Sequence, residues 1–376
     1  APASTGATAF TVAGNWTNSG TFTNSSGQVT FDGGSQSLSG ATTFYALTKA
    51  VSSNATLTLA SSVEQKVTND LALTATAGNL LTIASSGVPA AQLTLTAGGT
   101  QTISNVSVSN NDASGTGGVL PYSGVTLVAR NTSTNGGSNT NWQFGAATFT
   151  WDGSTSTDWN TVSNWDLGIV PASADTVIIP SGPANQPALS TDVVVANLTI
   201  NDAASLTLAG KNLTVSGTFA NGTAGVSTAT VISRGTETVT FTGGMDTDSG
   251  TFRYAGDGDG TSNTRTLTIN GSTNAAFYGL TINDPNATPA NRDVFAVSGT
   301  LTVNGTLTAA SGTLNASTAS NTIDANASVS IGASGILIAP ASTGASAFTV
   351  AGNWTNSGGT FTNSSGKVTF DDNGQS

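Results

Sequence analysis

Along most of this chain apolar residues alternate with Thr, Ser or Asn in short runs, and Gly, Asn and Ser separate the runs. AFTVAG (9–14), QVTFDG (28–33), TFYALTKA (43–50), ATLTLA (55–60), NLLTIA (79–84), AQLTLTA (91–97) and TQTISNVSVSN (100–110) follow one another. From residue 191 the pattern resumes with DVVVANLTIN (192–201), ASLTLAG (204–210), NLTVSGTF (212–219), ETVTFTG (237–243) and TRTLTING (264–271). DVFAVSGTLTVNGTLTA (293–309), ASVSIG (327–332) and GILIAP (335–340) complete it. A period of two predicts strands with one buried face. The spacing between runs is uneven, and few Asn-Gly or Asp-Gly pairs stand ready to close tight antiparallel hairpins. Stacked coils suit this text better, each strand pairing with its equivalent one coil on.

An echo inside the chain supports coils. Phe44-Tyr45-Ala46-Leu47-Thr48 recurs as Phe277-Tyr278-Gly279-Leu280-Thr281, each downstream of a VTF run. Aromatic residues at matching coil positions are expected to stack in an interior ladder. Independent Thr-rich strands are the alternative.

A much stronger repeat organises the whole chain. Residues 1–37 and 339–376 are the same text with one inserted Gly, and only five of the 37 aligned positions differ. Thr8 becomes Ser346, Gln28 becomes Lys367, and Gly33-Gly34-Ser35 becomes Asp372-Asn373-Gly374. So many fixed Ser and Asn residues imply recent duplication of a unit about 338 residues long, and the chain reads as a window on a tandem array. With coils of about 20 residues rising about 4.8 Å each, one period makes a rod about 80 Å long.

Two stretches break the alternation. Residues 111–145 turn rich in Gly and Asn, keep one clear strand (125–130), and close on Trp142 and Phe144. Residues 148–190 crowd Trp151, Trp159 and Trp165 together with Pro171, Pro180, Pro183 and Pro187. Pro cannot donate to a strand ladder, so this is expected to be a cap or junction with one edge-like strand at 175–180. The expected organisation is 1–147 as the end of one solenoid unit, 148–190 as the cap, and 191–376 as the opening coils of the next. The five aromatic residues are candidates for sealing one unit against another. A sugar-binding platform is the alternative.

Composition narrows the class. Charged residues are 8% of the chain, with two Glu, four Lys, no His and no Cys. So few helix formers among so many strand and turn residues predict an all-β protein. A net charge of −11 without a basic patch speaks against nucleic acid and anionic membrane. No apolar run approaches the roughly 20 residues needed to span a bilayer.

The segments WDGSTSTDWNTVSNWDLGIVPASADTVIIPSG, NLTINDAASLTLAGKNLTVSGTF, GTQTISNVSVSN and GGSNTNWQF resemble repeat units of very large bacterial surface and secreted proteins, the filamentous-haemagglutinin-like adhesins. The likeness covers most of the chain and rests on a style of repeat. It implies secretion, a right-handed parallel β-helix in tandem units, and an adhesive or fibrous role on the cell surface. The expected partners are copies of the same unit end to end, and surface glycans.

Candidate chemistry is sparse. Lacking His and Cys, the chain excludes Ser-His-Asp and Cys-His nucleophiles and the usual zinc sites. Asp246 with Asp248, and Asp257 with Asp259, lie in Gly-rich loops flanked by Arg253 and Arg265. Calcium is the cation such loops suit, although EF-hand spacing is missing because Thr268 stands twelfth from Asp257. Solvated Asp-Gly turns are the alternative, as is a polysaccharide lyase or glycosidase built on the paired carboxylates. Thr pairs such as Thr56/Thr58 and Thr94/Thr96 raise an ice-binding reading that their irregular spacing opposes. The balance is no enzyme and no resident cofactor.

Overall fold

The computed structural model describes residues 10–226 and 228–371. The chain is an all-β parallel β-solenoid of about 15 turns, with single 3₁₀ turns at Val162–Asn164 and Pro289–Asn291 as the described helix. It divides into two compact units. The first holds Ala1–Thr150 with Thr161–Val170, and the second holds Trp151–Asn160 with Pro171–Ser376. The Trp- and Pro-rich segment is therefore shared out between the units.

In the first unit, one face is a six-stranded sheet of Trp16–Thr17, Gln36–Ser39, Ala55–Leu59, Leu81–Ser85, Val106–Ser109 and Thr134–Asn135. Partners across it are parallel and stand 21 to 27 residues apart, which makes the coils longer than expected. Strand Ala55–Leu59 shows how sequence makes the face: Ala55, Leu57 and Leu59 are buried while Thr56 and Thr58 look outward. Its Thr column runs Thr56, Thr82, Ser107 and Thr134 in register, whereas Thr58 meets Ala84, so no unbroken Thr array forms.

Long strands carry the chain around a corner. Thr42–Val51 pairs with Glu64–Ala75, and the register slips between Phe44 and Ala46 where the backbone bends. Asn supplies other corners. The run 100–110 splits into Thr100–Ser104 and Val106–Ser109 because Asn105 adopts φ +54°, a left-handed conformation that Asn tolerates. Its side chain reaches both neighbouring coils, donating to Ala75 O at 2.7 Å and accepting from Thr132 Oγ1 at 3.0 Å. Asn54 and Asn212 likewise accept the backbone N–H of Leu80 and Thr238.

The second unit repeats these devices. Its five-stranded parallel face is Ala275–Phe277, Thr300–Val303, Thr322–Ala325, Phe348–Val350 and Thr369–Phe370, with partners 20 to 26 residues apart. Strand Thr176–Ile179 is no edge strand. It pairs with Asn197–Ile200 on one side, and Trp151 N donates to Ile178 O on the other. The expected ladder of aromatics at matching coil positions does not form, since Phe44 is in register with Val67 and Phe277 with Val303; rings from other positions meet instead. Phe219 and Phe241 stack at 4.0 Å, and Phe277 packs on Phe252 at 5.6 Å.

Candidate functional site

The two acidic loops sit apart in role. The Asp246 carboxylate accepts from Asn221 N and Ser249 Oγ at 2.7 Å each, and from Asp248 N and Ser249 N at 3.1 Å. Four donors saturate it as the acceptor of a turn. Asp248 is exposed. Asp259 accepts from Thr261 N and Thr261 Oγ1 at 2.7 Å, and these bonds hold its carboxyl below the usual range.

Asp257 belongs to another arrangement, one that the paired-carboxylate reading missed. It bonds Arg265 Nη2, whose Nε donates to Asp293 Oδ2 at 3.0 Å. Asp293 also accepts from Asn263 N at 2.8 Å, and its own N donates to Asp284 Oδ2 at 2.6 Å. Burial alone would lower the Arg265 pKa, but Asp293 and Asp257 raise it above its ordinary value. The cluster clamps neighbouring coils, and Asp284 and Asp293 gave no local motif by which to find them. Arg253 lies on Thr251–Tyr254, outside this clamp. Among the described residues no group of three or more acidic side chains converges as a cation-holding set.

The five aromatic candidates part ways. Trp142 and Phe144 stack at 6.2 Å on the strand Trp142–Phe144, which pairs with Leu127–Arg130, and Trp142 Nε1 donates to Asn111 Oδ1. Trp165 meets Phe149 edge to face at 6.2 Å in the first unit. Trp151 and Trp159 belong to the second, where Trp151 Nε1 donates to Asn185 O at 2.7 Å. Trp151, Trp159 and Trp165 are buried, so none offers a ring face for a sugar to stack on.

An open apolar feature lies in the duplicated text. In the first copy Trp16 meets Phe10, Phe22 and Phe31 at 6.1, 5.0 and 6.2 Å, each edge to face. In the second, Trp354 meets the counterparts Phe348, Phe361 and Phe370 at 5.8, 4.9 and 6.2 Å. Strand register agrees as well. Thr11 pairs with Thr30 and Val12 with Phe31, and Thr349 pairs with Thr369 and Val350 with Phe370. Trp354, Phe361, Val368 and Phe370 line an open pocket of about 290 Å³. Residues 1–9 and 372–376 of the two copies lie outside the described residues.

Residues 150–246 match the model of a family described as Domain of unknown function (DUF8693). The match begins where the second unit begins, at Thr150–Trp151, and takes in the Trp- and Pro-rich segment with the first regular coils. No curated protein matches the chain. No solved structure matches it either.

Proposed function

We propose that the chain is a structural segment of an extracellular bacterial fibre or giant repetitive surface adhesin, built from units that join end to end. The observation that carries this reading is the duplicated segment, which folds with one register and one aromatic cluster in both places where it occurs. A segment that keeps its structure in two contexts is suited to hand one coil stack over to another. The low charge and the Ser, Thr and Asn surface fit a durable rod outside the cell. The acidic groups act as turn acceptors and clamps, which supports a non-enzymatic role.

Electron microscopy of the native material tests the reading. Rods or fibres, or a longer parent polypeptide carrying more copies of residues 1–338, are expected. Compact monomers under all conditions, with no longer parent, overturn it. The second reading, a polysaccharide-binding or polysaccharide-degrading solenoid, predicts binding or cleavage on a glycan panel, lost on Asp257→Ala or Asp246→Ala.

A further inference from the structure

The second unit carries a concavity of about 220 Å³ on its ten-stranded sheet. A bulge makes one wall. Across strands Leu307–Asn315 and Val329–Ile338, Ala309 pairs with Ile331 and Ser311 with Ser334, so one residue opposes two, and Ala333 and Ser334 stand exposed. Bulges of this kind re-aim side chains beside functional sites. The other wall is the turn Pro289–Asn291 with Arg292, in the connection 284–293 whose neck is closed by the bond from Asp293 N to Asp284 Oδ2. Between the walls Thr313, Ile336 and Thr360 stand in register on three strands. Strand spacing places the two Thr about 10 Å apart, with the apolar Ile336 between them. Among the described residues Arg292 is the one charged group in the lining. Its Nε donates to Asn286 O at 2.9 Å and its Nη1 to Ser334 O at 3.2 Å, which ties the guanidinium to both walls. Those bonds use two of its five N–H donors. Stacking of a further coil leaves such a face open: Thr21, the counterpart of Thr360 in the first copy, is exposed although Phe44 of the following coil packs on Phe22 at 5.8 Å.

We propose that this concavity binds one carboxylated sugar ring, a hexuronate, through Arg292. A guanidinium fork matches a carboxylate with two parallel hydrogen bonds. The Thr313 and Thr360 hydroxyls, one on each side of Ile336, suit the hydroxyls at the two edges of a ring whose C–H face rests on Ile336 and Pro289. A volume of about 220 Å³ lies below the roughly 300–1,000 Å³ of pockets that take drug-sized ligands, so a single ring is the fit. The net charge of −11 works against densely charged polyanions, whereas one carboxylate beside one Arg balances the local charge. Bulge, neck and guanidinium bonds fix both walls in advance, which keeps the ordering cost of binding small. The inference deepens the adhesin reading by naming a ligand and rests on that reading for its use on a cell surface. Binding itself is measured on this chain alone, so the failure of either leaves the other standing.

Saturation-transfer NMR titrations of the full chain at pH 7 test the site, with galacturonate as the probe and galactose and acetate as the ring-only and charge-only controls. Galacturonate is expected to bind at least tenfold more tightly than either control. Trigalacturonate in a further arm separates the sources: competition at equal or lower concentration assigns the ring to a polysaccharide, competition by the monomer alone assigns it to the free acid, and both support the site. Arg292→Gln is expected to weaken binding at least tenfold. Because Arg292 also ties the two walls, Ile336→Asp is the second variant. It leaves the guanidinium in place, sets a carboxylate on the half-buried floor position, and is expected to weaken binding as much. Ile338→Asp, the next outward position on the same strand and outside the lining, is expected to leave binding unchanged. No binding of galacturonate, equal binding of galactose or acetate, binding that survives both Arg292→Gln and Ile336→Asp, or equal loss in Ile338→Asp overturns the proposal.

Discussion

Arg265 Nε lies 3.0 Å from Asp293 Oδ2, and the Asp293 side chain is almost wholly buried. The pair is therefore a structural clamp whose partners depend on each other. Removing one partner of a buried pair strands the other charge, at a cost of about 3–5 kcal/mol. Arg265→Met is expected to lower the stability of the second unit by about 3 kcal/mol. The double change Arg265→Met/Asp293→Leu removes the stranded Asp293 charge but leaves Asn263 N without its acceptor, so it should recover only part of that loss. Urea unfolding curves of the two variants check both statements. Equal stability of Arg265→Met and the native chain would mean that the clamp carries no weight.

The aromatic contacts make a sharper claim about packing. Phe277 is fully buried between Phe252 at 5.6 Å and Tyr254 at 6.3 Å. Truncation there removes apolar contact and leaves a cavity, so Phe277→Ala is expected to cost about 3–5 kcal/mol. Val194, 45% exposed on strand Val193–Val195, serves as control, and Val194→Ala should stay within about 0.5 kcal/mol of the native chain. Denaturation midpoints measured side by side decide the matter.

The alternation of Leu, Ile and Val with Thr was enough to read parallel coils, because each small strand keeps its own period of two. It failed where function of the backbone overrode polarity. Strand Glu64–Ala75 carries Glu64, Lys66 and Asp70 and so does not look like a strand, yet Glu64 accepts from Thr94 Oγ1 and Asp70 from Thr100 Oγ1 on neighbouring coils. Gln65 is buried and donates to Gly40 O. Such residues satisfy corners, and one sequence does not reveal the coil they will meet. Nor does closeness in sequence say to which unit a Trp belongs, as Trp159 and Trp165 show. The clamp was half legible: Asp257 and Arg265 are eight residues apart, whereas Asp293 arrives from a later coil. Lys49 had a signal in plain view, since the inward positions of its strand run Leu47, Lys49.

Lys49 predicts a pH dependence. Its ammonium is buried and donates to Gly33 O, Gly34 O and Gln36 Oε1 at 2.5–2.6 Å. Burial lowers its pKa from 10.5, and the charge of Asp32 offsets part of that shift. Below the lowered value both folded and unfolded chains are protonated, and the folded state bears the desolvation cost. Between that value and 10.5 the unfolded chain alone holds the proton, so stability rises with pH across this window. Above it both states are neutral and this contribution is flat. Unfolding free energies from pH 7 to 11, compared with those of Lys49→Met, are expected to show a rising component in the native chain that the variant lacks.

The acidic loops yield the last prediction. Calcium needs six to eight oxygen ligands in place of water, and a carboxylate already holding four protein donors has little left to offer. Asp246 is in that position, and Asp257 is held by Arg265, a cation that repels another. A ligand that binds only the folded state raises the melting temperature with its concentration. Millimolar Ca²⁺ against excess chelator is therefore expected to leave the melting temperature unchanged. Asp246→Ala, by contrast, strands the backbone donors of Asn221, Asp248 and Ser249 and should destabilise the second unit by about 1–3 kcal/mol. Asp248→Ala, on an exposed side chain, should cost much less. A rise in melting temperature with Ca²⁺ that disappears in Asp246→Ala would show instead that the loop opens its turn to hold the ion.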